Sequence, residues 1–308
     1  MLEIAEGISG PYCGKLMAGL GADVVKIEPR QGDAARQTGP FPNDTPDSEA
    51  SGLFLYLNTG KRSVTLDLEQ DSETILRMVK DADVVIENHP PSKLVSLGLG
   101  FEDMARVNPE VVVVSITPFG QYGPYRDFES SDIVVHALSG ELYLAGRPER
   151  EPLKKGGNLS EYHGGLNGYL SVMAALYARQ TSGRGQHIDV SLLEGATAVI
   201  GMAVKRWEYM GVVESRKGAE GHPWPNGIWP AKDGYILAYS RPAVDWWSMF
   251  VSMMAEVGVE GFDDPVFRTA QGRAENVEVL DGLFQSWVSG CTKEEVYHHA
   301  QKHGLPFG

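Results

Sequence analysis

Residues 156–194 read GGNLSEYHGGLNGYLSVMAALYARQTSGRGQHIDVSLLE. Within them Leu166, Tyr169, Leu170, Met173, Leu176 and Tyr177 recur at intervals of three and four, which predicts a helix with one packed apolar face. Glu161 falls in a Gly/Asn/Ser-rich loop directly before that helix. Gly183 supplies the left-handed residue that ends a helix, and Gly185 lets the chain reverse into a strand through Ile188, Val190 and Leu192. A carboxylate on a tight loop at the mouth of a packed helix is where a rigid scaffold tends to carry chemistry.

Upstream the chain alternates. Leu2 to Ala5 reads as a strand, Gly7, Gly10 and Pro11 as a loop, Leu16, Met17 and Leu20 as a helix ended by Gly21, and Val24 to Ile27 as a second strand. The glycines at 7, 10 and 14 do not follow the G-x-G-x-x-G order of a dinucleotide site, although Glu28 stands near where a ribose-binding acid belongs. Residues 30–60 are rich in Gly, Pro, Asp and Ser and read as a long surface loop. Strands are expected at Val64 to Leu68, Val84 to Ile86 and Val111 to Ile116, with a helix opened by Asp71 or Ser72 and another ending near Asn108. Asn88 and His89 end a strand at its carboxyl edge, the edge where open α/β sheets bind ligands. This alternation predicts an α/β fold, a doubly wound, mostly parallel, Rossmann-like sheet domain. The texture changes after Pro223, with strand-turn-strand around Lys232-Asp233-Gly234 and helices near Trp246 to Val257 and Val277 to Val288. The expected organisation is a large α/β domain over 1–195, a linker helix and loop over 196–222, and a smaller α+β domain over 223–308.

With 308 residues, 42% of them hydrophobic, the chain can bury a substantial core. A net charge of −14 argues against general binding to nucleic acid or anionic membrane, which needs a positive face. No apolar run approaches a membrane span, and Met1 enters Leu-Glu-Ile-Ala without a basic leader, so a cytoplasmic protein is expected. Two distant cysteines, Cys13 and Cys291, fit a reducing compartment. His298, His299 and His303 lack a carboxylate or cysteine to complete a metal set, so no metal is expected.

Six segments in order carry a family resemblance: Gly10-Pro-Tyr-Cys13, Leu20-Gly-Ala-Asp-Val-Val-Lys-Ile-Glu28, Asn58-Thr-Gly-Lys-Arg-Ser63 with Leu66-Asp-Leu68, Ala82-Asp-Val-Val-Ile-Glu-Asn88, Phe119-Gly-Gln-Tyr-Gly-Pro-Tyr125 and Gly183-Arg-Gly-Gln-His-Ile-Asp-Val-Ser191. Together they resemble the class III CoA-transferases of the formyl-CoA transferase and CaiB/BaiF type along essentially the whole chain. The resemblance implies coenzyme A transfer from an acyl-CoA donor to a carboxylic acid acceptor through a mixed anhydride and an enzyme-CoA thioester on a carboxylate. It implies no permanently bound cofactor, the coenzyme being substrate, and an interlocked homodimer or heterodimer.

Counted forward from Asp132 and back from Gly183, the family's nucleophilic aspartate falls on Glu161, with Gly164 and Gly165 beside it as backbone donors to the thioester oxygen. The plain alternative for Glu161 is a helix cap complementing the dipole. For the coenzyme, Gly10, Leu66 and Asn88 match family positions, His89 adjoins Asn88, and Arg30 stands one place beyond Pro29, which replaces the family's arginine. Lys61 or Arg62 is a further candidate. Ile8, Glu69 and Glu129 replace a glutamine and two lysines, so the acid pocket is expected to differ from that of the formyl-CoA enzymes. Two rivals remain: a non-catalytic or altered CoA-binding subunit, and a racemase, disfavoured because Ser131 stands where that branch has its histidine base. Family members start earlier and run on past Gly308, so a fragment or split subunit without the C-terminal return to the large domain is expected.

Overall fold

The computed structural model describes residues 1–216, 223–240 and 245–308. They form two compact units, Met1–Ala145 with Pro152–Glu214, and Gly146–Glu151 with Ser215–Gly308. The first unit contains, in order, β1 (Leu2–Ile4), α1 (Ser9–Gly19), β2 (Val25–Glu28), α2 (Gly52–Asn58), β3 (Arg62–Thr65), α3 (Ser72–Val79), β4 (Val84–Glu87), α4 (Lys93–Ser96), α5 (Phe101–Val107), β5 (Val112–Thr117), α6 (Asp132–Leu138), α7 (Glu141–Leu144), α8 (Leu159–Ser182), β6 (His187–Ser191), α9 (Leu192–Val199) and α10 (Gly201–Met210). The second contains β7 (Gly227–Ala231), β8 (Gly234–Ala238), α11 (Trp246–Glu256), α12 (Ala270–Glu275), α13 (Val277–Val288) and α14 (Lys293–Lys302).

All six strands of the first unit are parallel, in the order β3-β2-β1-β4-β5-β6. This is the doubly wound order, with its reversal between β1 and β4, so a crevice opens where the loops after those two strands part. Strand β5 is buried at all six positions, as its run of branched residues requires when helices cover both faces. One face packs Ala5, Val84, Ile86, Val114 and Ile116 with Cys13 and Met17 of α1 and Val172 and Ala175 of α8. The other packs Ile4, Ile27, Val85 and Val113 with Ile75 and Val79 of α3 and Met104 of α5. In the second unit, β7 and β8 form the expected antiparallel hairpin, and Trp224, Phe250, Phe262 and Phe284 centre a separate core.

Several expectations shift. Residues 30–60 include α2, whose first turn is capped by the Ser51 side chain accepting from the Phe54 amide. Strand β3 runs earlier than 64–68, because Leu66 and Asp67 already turn toward α3, where Asp71 Oδ2 accepts from the Asp67 amide at 2.9 Å. The linker helix expected at the start of 196–222 is two, α9 and α10, and Leu192 starts α9 instead of extending β6. Buried Leu192, Gly195 and Ala196 bind α9 into the first unit, which extends to Glu214 and not 195. The end of the expected linker, 217–222, lies outside the described residues.

The largest correction concerns α8. Its period is as expected but its phase is not: Leu166, Leu170, Met173 and Tyr177 are exposed, and Ser160, Gly164, Gly165, Gly168, Val172 and Ala175 face inward. The reason is size. A Cβ on Gly165 would stand 2.5 Å from the Ser9 carbonyl oxygen, and one on Gly168 would stand 2.7 Å from Ile116 Cδ1, so only hydrogen-sized side chains let α8 lie this close to α1 and β5. The helix ends as read, at Gly183 with φ +62°, and Arg179 pins its last turn to Asp83 at 2.7 Å and to the Glu110 carbonyl at 3.0 Å.

Gly165→Ala is expected to lower stability in urea by about 1–3 kcal/mol, because overpacking against main chain outweighs the roughly 1 kcal/mol that alanine gains over glycine in a helix. A stabilised variant would mean that α1 and α8 are not in this contact.

Candidate active site

Helix α8 starts at Leu159, so Glu161 lies in its first turn and not in the preceding loop. Its neighbour Ser160 is fixed from outside the helix: Asp132 Oδ1 accepts from the Ser160 amide at 3.0 Å and from its hydroxyl at 2.6 Å. Asp132 Oδ2 pairs with Lys154 at 2.6 Å and lies 3.4 Å from His136 Nε2, while the other ring nitrogen of His136 meets Glu141, which also pairs with Lys155. A buried acid thus caps α8 from another element, and Glu161 is left for other work.

Glu161 is half-buried, and the hydroxyl and main-chain amide of Ser9, at the start of α1, lie near enough to favour its charged form. Burial pushes its pKa up and the negative Asp132 adds to the rise, against the Ser9 hydrogen bonds. The arrangement is a carboxylate with raised basicity, set beside Ser9 and partly withdrawn from water. Such a group can act as a nucleophile toward an acyl carbon.

The expected glycines play another part. The amides of Gly164 and Gly165 lie beyond the first turn and donate within the helix, so they are not free to hold a thioester oxygen. Gly164 instead makes room for Leu192, whose Cδ2 would be 2.1 Å from an added Cβ. Gly10 is buried with an added Cβ 2.3 Å from Ala5 Cβ, so it serves the packing of α1 on β1.

A cleft of 280 Å³ opens at the carboxyl ends of β1 to β4, lined among others by Glu6, Pro29, Leu66, Asp67, His89 and Lys93. It brings together the expected Leu66 and His89. Burial, with Lys93 nearby, pushes His89 down to a pKa of about 4, so at neutral pH it is an uncharged ring. Arg30 is exposed and has no ion-pair partner among the described residues. Asn88 links this cleft to Ser9: its side chain exchanges two hydrogen bonds with the main chain of Glu6, at 3.0 and 2.7 Å, and its Nδ2 is 3.4 Å from Ser9 Oγ. A larger recess of 650 Å³, lined in part by Met1, Asp83 and Arg179, lies at the opposite, amino edge of the sheet and away from these groups.

Lys61 and Arg62 do not reach the cleft. Lys61 is buried against Glu3 at 2.7 Å, and Arg62 begins β3 at the amino edge, where it pairs with Asp23 at 2.5 Å. Glu28 is no ribose acid either: Arg36, Ser63 and the Asp33 amide occupy it. Sequence reasoning missed Ser9, Asp33 and Lys26; the one signal was Lys26 and Glu28 inside an otherwise apolar parallel strand.

Comparison with known proteins gives a consistent picture. The family model described as CoA-transferase family III matches residues 1–308. The chain is 34% identical to a succinate–glutarate CoA-transferase of Agrobacterium fabrum, covering 100% of this chain and 78% of that one. It is 33% identical to succinyl-CoA:(R)-benzylsuccinate CoA-transferase subunit BbsE of Thauera aromatica, covering 96% and 74%. A crystal structure of a CaiB/BaiF family protein from Brucella suis superimposes with a TM-score of 0.86 at 30% identity, covering 100% of this chain and 81% of that one.

Glu87, at the carboxyl end of β4, is raised to about 7 by burial with a smaller push from Asp189, against hydrogen bonds from Ser115 and the His89 amide. The folded protein holds this proton more tightly than the unfolded chain, whose value is 4.5, so the stability it contributes is full below pH 4.5 and is lost as pH rises through about 7. Urea titrations are expected to show the native protein losing about 3 kcal/mol relative to Glu87→Gln across that window; parallel curves would refute the assignment.

Proposed function

This chain belongs to CoA-transferase family III and is an enzyme of coenzyme A transfer, and we propose that Glu161 is its nucleophile. In this reading a Glu161 oxygen attacks the carbonyl carbon of an acyl-CoA, the C–S bond breaks, and CoA thiolate leaves an anhydride between Glu161 and the acyl group. The thiolate then attacks the Glu161 carbonyl, giving an enzyme-CoA thioester and the free donor acid. An acceptor carboxylate repeats the sequence in reverse: it displaces the thiolate, forms its own anhydride, and departs as its CoA thioester with the Glu161 carboxylate restored. The coenzyme is substrate, and no permanent cofactor enters the cycle.

One observation carries the reading: the acid at the head of α8 and the cleft at the carboxyl edge are joined through Asn88 and Ser9. The apolar side chains around Leu66 suit a flat base, the neutral His89 ring supplies a hydrogen bond, and exposed Arg30, between the lining residues Pro29 and Gln31, is the candidate for the phosphates. One relative is named for succinyl-CoA and benzylsuccinate and the other for succinate and glutarate, which favours a dicarboxylic acyl-CoA as donor. The same reading has the first unit bind the coenzyme and the protein work in the cytoplasm as an interlocked homodimer or heterodimer. Relatives named as subunits support the heterodimer. A racemase is not favoured: Ser131 offers no base, and the nearby His136 is 1% exposed between Asp132 and Glu141.

Succinyl-CoA incubated with a panel of dicarboxylic acids, followed by mass spectrometry of the Glu161 peptide, is expected to show exchange and a CoA adduct on that residue. Glu161→Gln should abolish both while CoA still binds. The rate of the native enzyme should fall on acidification with a midpoint above the ordinary glutamate value of 4.5, because burial raises the group. Glu161→Asp is expected to lower turnover by about 10–100-fold, since the shorter acid withdraws its oxygen by roughly a bond length. Binding of CoA without any adduct would favour the non-catalytic subunit instead.

A further inference from the structure

A loop joining a strand to a helix ordinarily leaves its main-chain groups to water. The segment Ala5–Pro11, the loop after β1 together with the first turn of α1, is held otherwise. Lys26 Nζ donates to the Ala5 carbonyl at 2.7 Å, Asn88 grips both main-chain groups of Glu6, the Gly7 amide donates to Asp33 Oδ1 at 2.9 Å, and Lys61 Nζ donates to the Pro11 carbonyl at 2.8 Å. Three of these four clamps belong to one ion network. Lys26 bridges Glu3 at 3.0 Å and Asp33 at 2.8 Å, and Lys61 closes it on the second oxygen of Glu3 at 2.7 Å, with every one of these side chains 2% exposed or less.

Buried ion networks contribute little net stability, because desolvation offsets attraction, but they fix geometry. Within the clamped segment is Ser9, itself 2% exposed, whose carbonyl oxygen packs against Gly165 of α8 and whose hydroxyl and amide favour the charged form of Glu161 one turn earlier on that helix. Gly7 takes φ +74°, a left-handed turn that aims its amide at Asp33.

We propose that Lys26 and Asp33, with Glu3 and Lys61, are positioning residues: they lock the Ala5–Pro11 main chain and so hold Ser9 against Glu161 in its reactive orientation. This rests on Glu161 as the reacting carboxylate. None of the four touches substrate; they act through the loop.

The test pairs Asp33→Ala with Asp33→Asn, which keeps an acceptor for the Gly7 and Ala35 amides. Hydrogen exchange read by mass spectrometry over residues 5–11 needs no turnover. Asp33→Ala is expected to speed exchange in that segment by about 10-fold, leaving the second unit unchanged. It should lower kcat by about 100-fold with KM for acyl-CoA within about 3-fold of native. Asp33→Asn should recover part of both, since it keeps the acceptor for the Gly7 amide but leaves Lys26 short of one anion. Unchanged loop exchange, intact kcat in a loosened loop, or equal losses in both variants with a general fall in protection would each overturn the proposal. If Asp33→Ala does not fold, Lys26→Met with Glu3→Gln, which removes one cation and one anion together, decides by the same readouts. If the native enzyme transfers no CoA, the reading of Glu161 fails, and loop exchange still decides whether the network sets the position of Ser9.

Discussion

An ammonium group with almost no access to water sits beside the strand reversal of this sheet. Lys26 is in register with Glu3 on the neighbouring strand, and side chains of that parity point to the α1 side, where hydrocarbon would be expected. Removing a lone cation from water costs several kcal/mol. Burial pulls against the charge of Lys26, but the Glu3 and Asp33 carboxylates overcome it and leave its pKa above the ordinary lysine value. Lys61, which shares Glu3 and is repelled by Lys26, does less well: burial brings it down to about 8. The two cations and two anions have to be assembled together, since removing any one strands the others. The first turn of α1 is placed by that assembly.

Helix α8 is placed by the opposite means, an absence of side chain. Glycine and alanine positions let it settle on β5 and α1, Asp132 caps its head, and Arg179 ties its tail. Glu161 and Ser9 meet because two helix starts, one located by charge and one by small size, converge at one edge of the sheet. That edge is the one the parallel topology opens.

What the sequence revealed follows the same division. The strands were readable because β4 and β5 are runs of branched residues buried on both faces, and the helix period of α8 was readable from its spacing. Its inner face was not, because hydrophobic periodicity marks the large apolar residues, while here close approach selected Gly164, Gly165 and Gly168 and turned Leu166, Leu170 and Met173 outward. The position of Glu161 came from counting between Asp132 and Gly183, and its seat in the first turn was hidden by the glycines around it, which read as loop. Lys61 looked like a phosphate ligand because burial of a lysine against a glutamate 58 positions away leaves no local mark. Leu66, Asn88 and His89 were legible since a strand's carboxyl end is fixed by topology; that Asn88 spends its amide on the Glu6 main chain was not.

A seat that must take a glutamate's additional methylene ordinarily borrows volume from a bulky neighbour. One turn on from residue 161, on the inner side of α8, Gly164 and Gly165 leave nothing to shorten, for glycine cannot be trimmed. Accommodation of residue 161 is therefore confined to the facing end of α1, so that the reach of the acid and the placement of Ser9 form a single joint, and refitting one for a new substrate means refitting the other.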